Sequence, residues 1–191
     1  MNGDKPVIRA HLAAHVEAYG GLHPVFVHSV EHPDGLVLVD TGLPDPPPLT
    51  EELRSRVALV VNTHLHFDHC GGNRCFPGVP VHVQARELAA AVAEPDEHTR
   101  PEWVQAPGVA YVEHDGEAEL LHGIRLLPTP GHTAGHQCVL VAGVGLIGGD
   151  VAYSFRSLGD ADTEGKRRVL ALGVETWLAH VERPHVPRRN D

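Results

Sequence analysis

The sequence has little of what disulfide-stabilised and membrane proteins contain. Only 3 cysteines occur in 191 residues, and a small, odd number does not form a disulfide framework. No apolar run approaches the roughly 20 residues of a membrane-spanning helix, and no signal-peptide core follows the polar residues 1–4. These absences predict a reduced, cytoplasmic protein that does not act on a membrane.

Positive charge is also scarce. The chain has 15 Lys and Arg against 25 Asp and Glu, so its formal net charge is −10. Nucleic acids and anionic membranes need a basic surface, and neither is expected as a partner. A small anionic substrate remains compatible, because a bound metal ion supplies positive charge locally. The length and the 42% hydrophobic content predict one globular domain over residues 1–191.

Short apolar stretches alternate with turn residues along the chain. We predict strands at residues 24–30, 36–39, 59–62, 79–83, 109–112, 118–121, 124–128, 137–141, 145–147 and 175–178, the first two joined by a turn at 32–35. Helices are predicted after the capping residue Thr50 through residue 56, and over residues 85–93 and 164–172. The proline-rich residues 44–48 are predicted as a loop, and residues 94–108 as a loop or flap. Strands covered by helices in both halves predict a layered α/β domain.

Histidine is the residue in excess, with 16 copies against 15 Lys and Arg. Four residues with metal-binding side chains stand within six positions, shortly after the strand predicted at 59–62: His64, His66, Asp68 and His69. Imidazole and carboxylate ligands together suit zinc, with iron, manganese or cobalt as alternatives. A histidine-rich surface loop is the competing interpretation. The position directly after a buried strand favours a metal site.

Three further residues stand where predicted strands end. His132 follows the strand at 124–128, Asp150 follows the strand at 145–147, and His180 follows the strand at 175–178. A sheet presents such residues at one edge, so we expect them near the histidine cluster. Alone, each would be a solvated turn residue. Together with the cluster they give five histidines and two aspartates, which is enough to hold two metal ions.

A series of motifs in the right order carries a family resemblance. The sequence reads VDTG at residues 39–42, THLHFDH at 63–69 followed by GGN at 71–73, and PGHT at 130–133. This series resembles the motifs of the metallo-β-lactamase superfamily, and the matching stretches run from about residue 24 to residue 180. The resemblance implies a four-layer αβ/βα sandwich, here in a compact version.

Within that superfamily the chain is most similar to the quorum-quenching N-acyl-homoserine lactone lactonases. The second motif through Asn73 has the form typical of that branch, and so does PGHTAGHQ at residues 130–137. Tyr153 stands three residues after Asp150, where lactonases carry a phenol beside the metals. A half-buried tyrosine with its hydroxyl in solvent is the competing interpretation of Tyr153.

The resemblance also implies how two divalent ions, zinc foremost, would be held. The first metal would be bound by His64, His66 and His132, and the second by Asp68, His69 and His180, with Asp150 and a hydroxide bridging them. His185 competes with His180 for the last position. His136 is predicted to be structural, since the seven positions are filled. Cys70 is predicted to be a small buried residue rather than a ligand.

The implied reaction is hydrolysis of a carbonyl ester, foremost a lactone. The bridging hydroxide would attack the carbonyl carbon, with Tyr153 donating a hydrogen bond to the developing oxyanion and Asp68 helping to protonate the leaving oxygen. Asp40 is either a residue that orients a ligand histidine or a simple turn aspartate. Phe67 either lines the substrate entrance or packs in the core. A small-molecule ester or lactone is the expected partner, and a homodimer is left open.

The chain departs from the family in length, which keeps other functions open. Only 30 residues (180 − 150) separate Asp150 from His180, and the segment before Asp40 is compact. In the family these regions supply substrate-covering loops and a dimer contact, so the motifs fix the metal chemistry and not the identity of the substrate. The alternatives are a thioester hydrolase resembling glyoxalase II, another hydrolase of the same fold, and a metal-binding module without turnover.

Overall fold

Two β-sheets packed face to face form the centre of the protein. The computed structural model describes residues 6–18 and 20–190. The first sheet has its strands in chain order: β1 (Val7–Ala18), β2 (Gly21–His32), β3 (Gly35–Val39), β4 (Val57–Val61), β5 (Pro80–Gln84) and β6 (Ala110–His114). The second sheet has the spatial order β11 (Thr176–Leu178), β10 (Gly145–Gly149), β9 (Gln137–Val141), β8 (Ile124–Pro128) and β7 (Ala118–Leu121).

Short helices cover the outer faces of both sheets. They are α1 (Glu51–Ser55), α2 (Phe67–Cys70), α3 (Ala85–Ala93), α4 (Pro101–Val104), α5 (Phe155–Gly159) and α6 (Glu164–Leu172), with a 3₁₀ helix at Gly71–Cys75 directly after α2. Leu158 of α5 and Val169 of α6 pack with the outer side of the second sheet. Leu53 of α1 packs against the outer side of the first. The layers therefore follow the helix–sheet–sheet–helix order implied by the family resemblance, and that prediction is confirmed.

The core between the sheets explains why several strands read as unbroken apolar runs. Val37 and Val39 of β3 face the second sheet, where Val139 and Ile147 are fully buried against them. The alternate residue Leu38 faces the helices on the other side and is equally buried. Because both faces of β3 are covered, period-two alternation of polar and apolar residues is absent from it.

A long hairpin formed by β1 and β2 is the main feature that the sequence did not predict. β2 begins three residues earlier than expected and includes Pro24. The carbonyl of Pro24 accepts a hydrogen bond from His180, on the side of β2 away from β1. In an extended strand the nitrogen of the same residue faces the same side, so the missing N–H of Pro24 leaves the β1–β2 ladder intact.

The structure contains two short helices that the sequence analysis did not predict. Residues 94–108 were expected to lack regular structure, but Pro101–Val104 forms α4, which has proline in its first turn. α5 was not predicted, although Ser154 and Ser157 form a reciprocal cap at its start. The helix capped by Thr50, the helices at residues 85–93 and 164–172, and the irregular residues 44–48 are confirmed.

Among the described residues, no helix combines the length and the apolar character that crossing a membrane would require.

Candidate metal centre

The strand ends bring the predicted site residues to one edge of the two sheets. The cluster at residues 64–69 follows β4, and Asp40 follows the neighbouring strand β3. His132 lies after β8, Asp150 after β10 and His180 after β11. Gly149, immediately before Asp150, has φ 51° and lies against Thr63, so a side chain there would both strain the backbone and collide.

The first group of potential ligands consists of His64, His66 and His132. Their ligand nitrogens lie within 4.8 Å of one another. Nδ1 of His66 is 3.2 Å from Nε2 of His132. His64 is completely buried, whereas His132 lies at the solvent-facing rim. Three imidazoles converging on one point form a typical set of ligands for a catalytic zinc ion.

The second group consists of Asp68, His69 and His180, whose ligand atoms also lie within 4.8 Å of one another. Asp150 lies between the two groups. One carboxylate oxygen of Asp150 is 3.1 Å from Nε2 of His180 and 3.6 Å from Nε2 of His132. Its other oxygen is 3.4 Å from Nε2 of His69. Asp150 is therefore placed where one carboxylate contacts both groups.

Hydrogen bonds on the far side of the rings orient the imidazoles. Nδ1 of His69 donates to Asp40 at 2.8 Å, and Nδ1 of His180 donates to the Pro24 carbonyl at 2.8 Å. Nε2 of His66 donates to Asp96 at 3.0 Å. With one nitrogen held in this way, the other nitrogen of each ring is the one that would bind a metal ion, which is the arrangement typical of metal-binding histidines.

Asp40 and Thr63 extend the same arrangement to His64. Both carboxylate oxygens of Asp40 accept from Thr63, one from its backbone N–H and the other from its hydroxyl, each at 2.8 Å. Because the Thr63 hydroxyl donates to Asp40, it accepts from Nδ1 of His64 at 3.1 Å. Asp40 itself has φ 61°, a left-handed conformation that aspartate tolerates better than most residues. Of the two interpretations of Asp40, the structure supports the orienting role.

Unpartnered buried atoms test whether this set fits a metal. Nε2 of His64, Nε2 of His69 and one oxygen of Asp150 are buried without a hydrogen-bond partner. All three point into the space between the two groups, as their shared set of ligand atoms shows. A buried polar atom without a partner costs about 1–3 kcal/mol, and a bound cation would remove that cost for each. The residues therefore fit a metal centre.

The electrostatics of the first group agree with this fit. Burial, followed by the neighbouring imidazoles, holds the pKa of His64 well below its ordinary value. Burial also lowers the pKa of His132 to about 4, against the opposing pull of Asp150. Neutral imidazole is the form that binds metal, so both residues are ready to bind at neutral pH. Burial acts to raise the pKa of Asp150, but the nearby His69 outweighs burial and holds that pKa well below its usual range. The carboxylate is therefore charged.

Tyr153 and two cavities flank the centre. The Tyr153 ring stacks on His180, with 4.3 Å between ring centroids and 13° between ring planes. One cavity of about 430 Å³ and another of about 350 Å³ share His132, Asp150 and Tyr153 in their walls. Phe67 lines the smaller cavity, so of its two interpretations the structure supports the one at the substrate entrance. The volumes are typical of pockets for small molecules.

Other candidates lie outside the two groups. His185 is exposed and pairs through its backbone with Thr176, so the structure favours His180 over it. His136 is buried and its Nδ1 lies 2.8 Å from the Thr129 hydroxyl. Cys70 is buried, with its thiol bonded to the Leu65 carbonyl, and burial raises the pKa of that thiol. A neutral thiol is a poor ligand, in agreement with the expectation for Cys70.

Two acidic residues beside the centre were missed by the sequence analysis. Asp96 contacts His66, and Glu87 is buried behind the first group. Asp96 lies in the segment predicted as a loop, and Glu87 lies in a helix where glutamate is common. No local pattern distinguishes either residue from an ordinary surface carboxylate, because their contacts exist only once distant segments have packed.

Comparison with known proteins places this geometry in a family. The model of the metallo-β-lactamase superfamily matches residues 20–165, well over half of the chain. An N-acyl homoserine lactonase from Bacillus cereus is 30% identical, with 72% of this chain and 67% of that protein covered. A second, from a Bacillus species, is 34% identical, with 62% of this chain and 58% of that protein covered. The chain thus spans about two thirds or less of the length of these relatives.

Solved structures agree on the fold. A crystal structure of a variant of the lactonase AiiA from Bacillus thuringiensis, with N-decanoyl-L-homoserine bound at its active site, superposes with a TM-score of 0.76. The superposition covers 92% of this chain and 93% of that one at 24% identity. At that identity the likeness establishes the metallo-β-lactamase fold. The family match and the 30% identity to the Bacillus cereus lactonase show that the chain belongs to the metallo-β-lactamase superfamily, as a metal-dependent hydrolase related to the N-acyl homoserine lactonases.

Proposed function

We propose that the protein opens lactone rings of the N-acyl-homoserine lactone type, using two divalent metal ions. The observation that carries the proposal is the pair of ligand groups joined by Asp150, with Tyr153 beside them. One ion would be held by His64, His66 and His132, the other by Asp68, His69 and His180, with Asp150 reaching both. Imidazole-rich sets with few carboxylates favour zinc, and iron, manganese and cobalt have compatible ligand preferences.

The two ions would supply a nucleophile at neutral pH, because paired metal ions lower the pKa of a shared water from about 15.7 toward about 7. The protein residues position the rest of the reaction. Attack adds a hydroxyl to the carbonyl carbon, the ring C–O bond breaks, and one proton reaches the leaving oxygen. Asp68 lines the cavity and carries that proton on a carboxylate oxygen. Tyr153 donates a hydrogen bond to the carbonyl oxygen as negative charge develops on it.

The walls of the cavities favour a neutral substrate with an apolar part. The smaller cavity contains Val16 and Phe67 together with the acidic residues Glu17 and Glu97. Carboxylates at this position repel a phosphodiester, whereas a lactone ring with an acyl chain carries no charge. The stacked ring of Tyr153 supplies further apolar surface.

A substrate panel tests the proposed function. The zinc-loaded protein is assayed with an N-acyl homoserine lactone, a glutathione thioester, a phosphodiester and a cephalosporin. We expect the lactone to have the highest kcat/KM. If the thioester were turned over preferentially, the protein would be assigned as a thioester hydrolase resembling glyoxalase II. If no substrate were turned over, it would be assigned as a metal-binding module.

Replacing Tyr153 tests its role in the reaction. In Tyr153→Phe we expect kcat for the lactone to fall about 100-fold, because one preorganised donor to the oxyanion is lost. Tyr111→Phe is the matched control, since the Tyr111 hydroxyl bonds Asn73 and lines neither cavity. Unchanged lactone turnover in Tyr153→Phe would remove Tyr153 from the mechanism.

A further inference from the structure

A buried carboxylate connects the two segments that carry the first ligand group. Glu87 is 4% exposed and lies in the first turn of α3, where the helix dipole favours a negative charge. One of its oxygens accepts from the backbone N–H of Leu65 at 3.0 Å. The other accepts from the Thr133 hydroxyl at 2.7 Å and from the N–H of Gly135 at 3.0 Å.

These donors are the sequence neighbours of the ligands. Leu65 stands between His64 and His66, and Thr133 follows His132 directly. The two segments are distant in the chain, and Glu87 is bonded to both without being one of the grouped ligands itself. A shift of either segment would therefore break a hydrogen bond to a buried charge.

The packing around Glu87 is built for this contact. Gly135 lies so close to α3 that a side chain on it would overlap the backbone of Glu87. Glycine at this position lets the segment carrying His132 approach the helix closely enough for its N–H to reach the carboxylate. Because three donors satisfy the two oxygens, the carboxylate is held in one orientation.

We propose that Glu87 is a positioning residue that sets the affinity of the first metal site by fixing the distance between the His64–His66 segment and His132. The inference rests on the metal sites of the proposed function, but it requires nothing about the substrate. Changes in residues that orient metal ligands typically lower metal affinity by 10-fold to 100-fold. In the second group, Asp40 and the Pro24 carbonyl orient His69 and His180, and Glu87 makes no hydrogen bond to either. The effect of Glu87 is therefore specific to the first site.

Glu87→Gln is the informative substitution, because it keeps the shape and removes the charge. An amide offers one acceptor oxygen, so it cannot accept from Leu65 and Gly135 on opposite sides at once. Zn²⁺ binding is measured by competition with a chelator in two backgrounds. In His180→Ala the remaining ion is the one bound at the first site, and in His132→Ala it is the one bound at the second.

We expect Glu87→Gln to lower Zn²⁺ affinity about 10-fold to 100-fold in the His180→Ala background. In the His132→Ala background the affinity should change by no more than about twofold, because none of the hydrogen bonds of Glu87 is to a residue next to Asp68, His69 or His180. Glu52→Gln on the exposed surface of α1 is the matched control and should alter neither affinity. Unchanged affinity at the first site, or equal losses at both sites, would overturn the proposal.

A second variant decides the matter if Glu87→Gln does not fold. Thr133→Val removes one donor to Glu87 while preserving the size of the side chain, and it leaves the Leu65 and Gly135 contacts in place. We expect a smaller loss of Zn²⁺ affinity that is again confined to the first site. If the wild type binds two zinc ions but hydrolyses no lactone, the proposed function fails and the positioning role of Glu87 stands. If Thr133→Val and the wild type bind zinc with equal affinity, the positioning role of Glu87 fails and the proposed function is unaffected.

Discussion

A pair of histidines away from the metal centre shows how burial changes residue chemistry. His82 of β5 and His114 of β6 stack with 5.1 Å between ring centroids, and Nδ1 of His82 is 2.8 Å from Nε2 of His114. Burial, and then the neighbouring His114, lowers the pKa of His82 to about 4. Burial lowers the pKa of His114 as well. The folded protein therefore resists protonation of this pair.

The pair predicts a loss of stability in acid. The unfolded chain takes up a proton at His82 near pH 6.5, whereas the folded protein does so only near pH 4. The stability is therefore complete above pH 6.5 and decreases as the pH falls toward 4. In His82→Gln, proton uptake on unfolding between these values should be smaller by up to one proton.

Urea unfolding of the metal-free protein across this pH range measures the effect without interference from metal loss. His122→Gln is the control, because the His122 side chain is fully exposed. If the stability of His82→Gln and of the wild type decreased in parallel between pH 6.5 and 4, the assignment to His82 would be wrong.

At the scale of elements, the segment at residues 94–100 is fixed to the centre through Asp96. One oxygen of Asp96 bonds His66, and the other accepts from the N–H of His98 and the hydroxyl of Thr99. Although burial opposes it, the hydrogen bond from Thr99 and the proximity of His66 lower the pKa of Asp96 to about 2. The same segment carries Glu97 and His98 into the cavity wall.

Asp96→Ala should loosen this segment. Because the Asp96 side chain is half-exposed, water replaces part of the lost contacts, and the net cost is that of one hydrogen bond to a charged group, about 1.5–3 kcal/mol. Backbone hydrogen exchange at residues 96–99 should therefore accelerate by about 10-fold to 100-fold. Glu97→Ala in the same segment is the control, because its side chain is 86% exposed. Equal exchange in Asp96→Ala and wild type would show that the segment is held by its backbone contacts alone.

The elements that could be predicted from sequence are those defined by local patterns. β3, β4 and β8 are apolar runs bounded by turns, and α3 and α6 have helical composition over nine residues. β1 was missed because its exposed edge mixes alanine with polar residues and its conformation depends on pairing with β2. α4 and α5 are too short for a periodic pattern, and only their first-turn proline and serine cap indicate them.

The convergence of the candidate ligands could be predicted from the sequence, whereas the residues that support them could not. His132, Asp150 and His180 were found because each follows a strand, and parallel or adjacent strands end at one edge. Glu87 and Asp96 depend on how α3 and the segment after it pack, which no spacing rule encodes. The assignment of individual ligands stays a prediction until a metal is measured.

At the scale of the whole molecule, the buried centre links metal binding to stability. His64 and Asp150 leave polar atoms unpartnered inside the protein, so the metal-free protein is less stable than the protein with metal. With free Zn²⁺ at about 100 times its dissociation constant, one site adds about 2.7 kcal/mol of stability. For a chain of this size that corresponds to a rise in Tm of about 5–11 °C.

Thermal melting with a chelator and with added Zn²⁺ checks this expectation. Mg²⁺ at the same concentration is the control, because it prefers oxygen ligands and keeps its waters. A Tm that does not respond to Zn²⁺ would contradict a metal centre formed by these residues.

The hydrogen bond from His180 to Pro24 joins positions 156 residues apart. The first ligand group is complete once His132 has been made, whereas the second needs both the early hairpin and the late strand β11. During synthesis on the ribosome, these steps are separated on the order of seconds. All residues of the first group are therefore made 48 residues (180 − 132) before His180, so the second group is the one that closes only when the two ends of the described chain have come together.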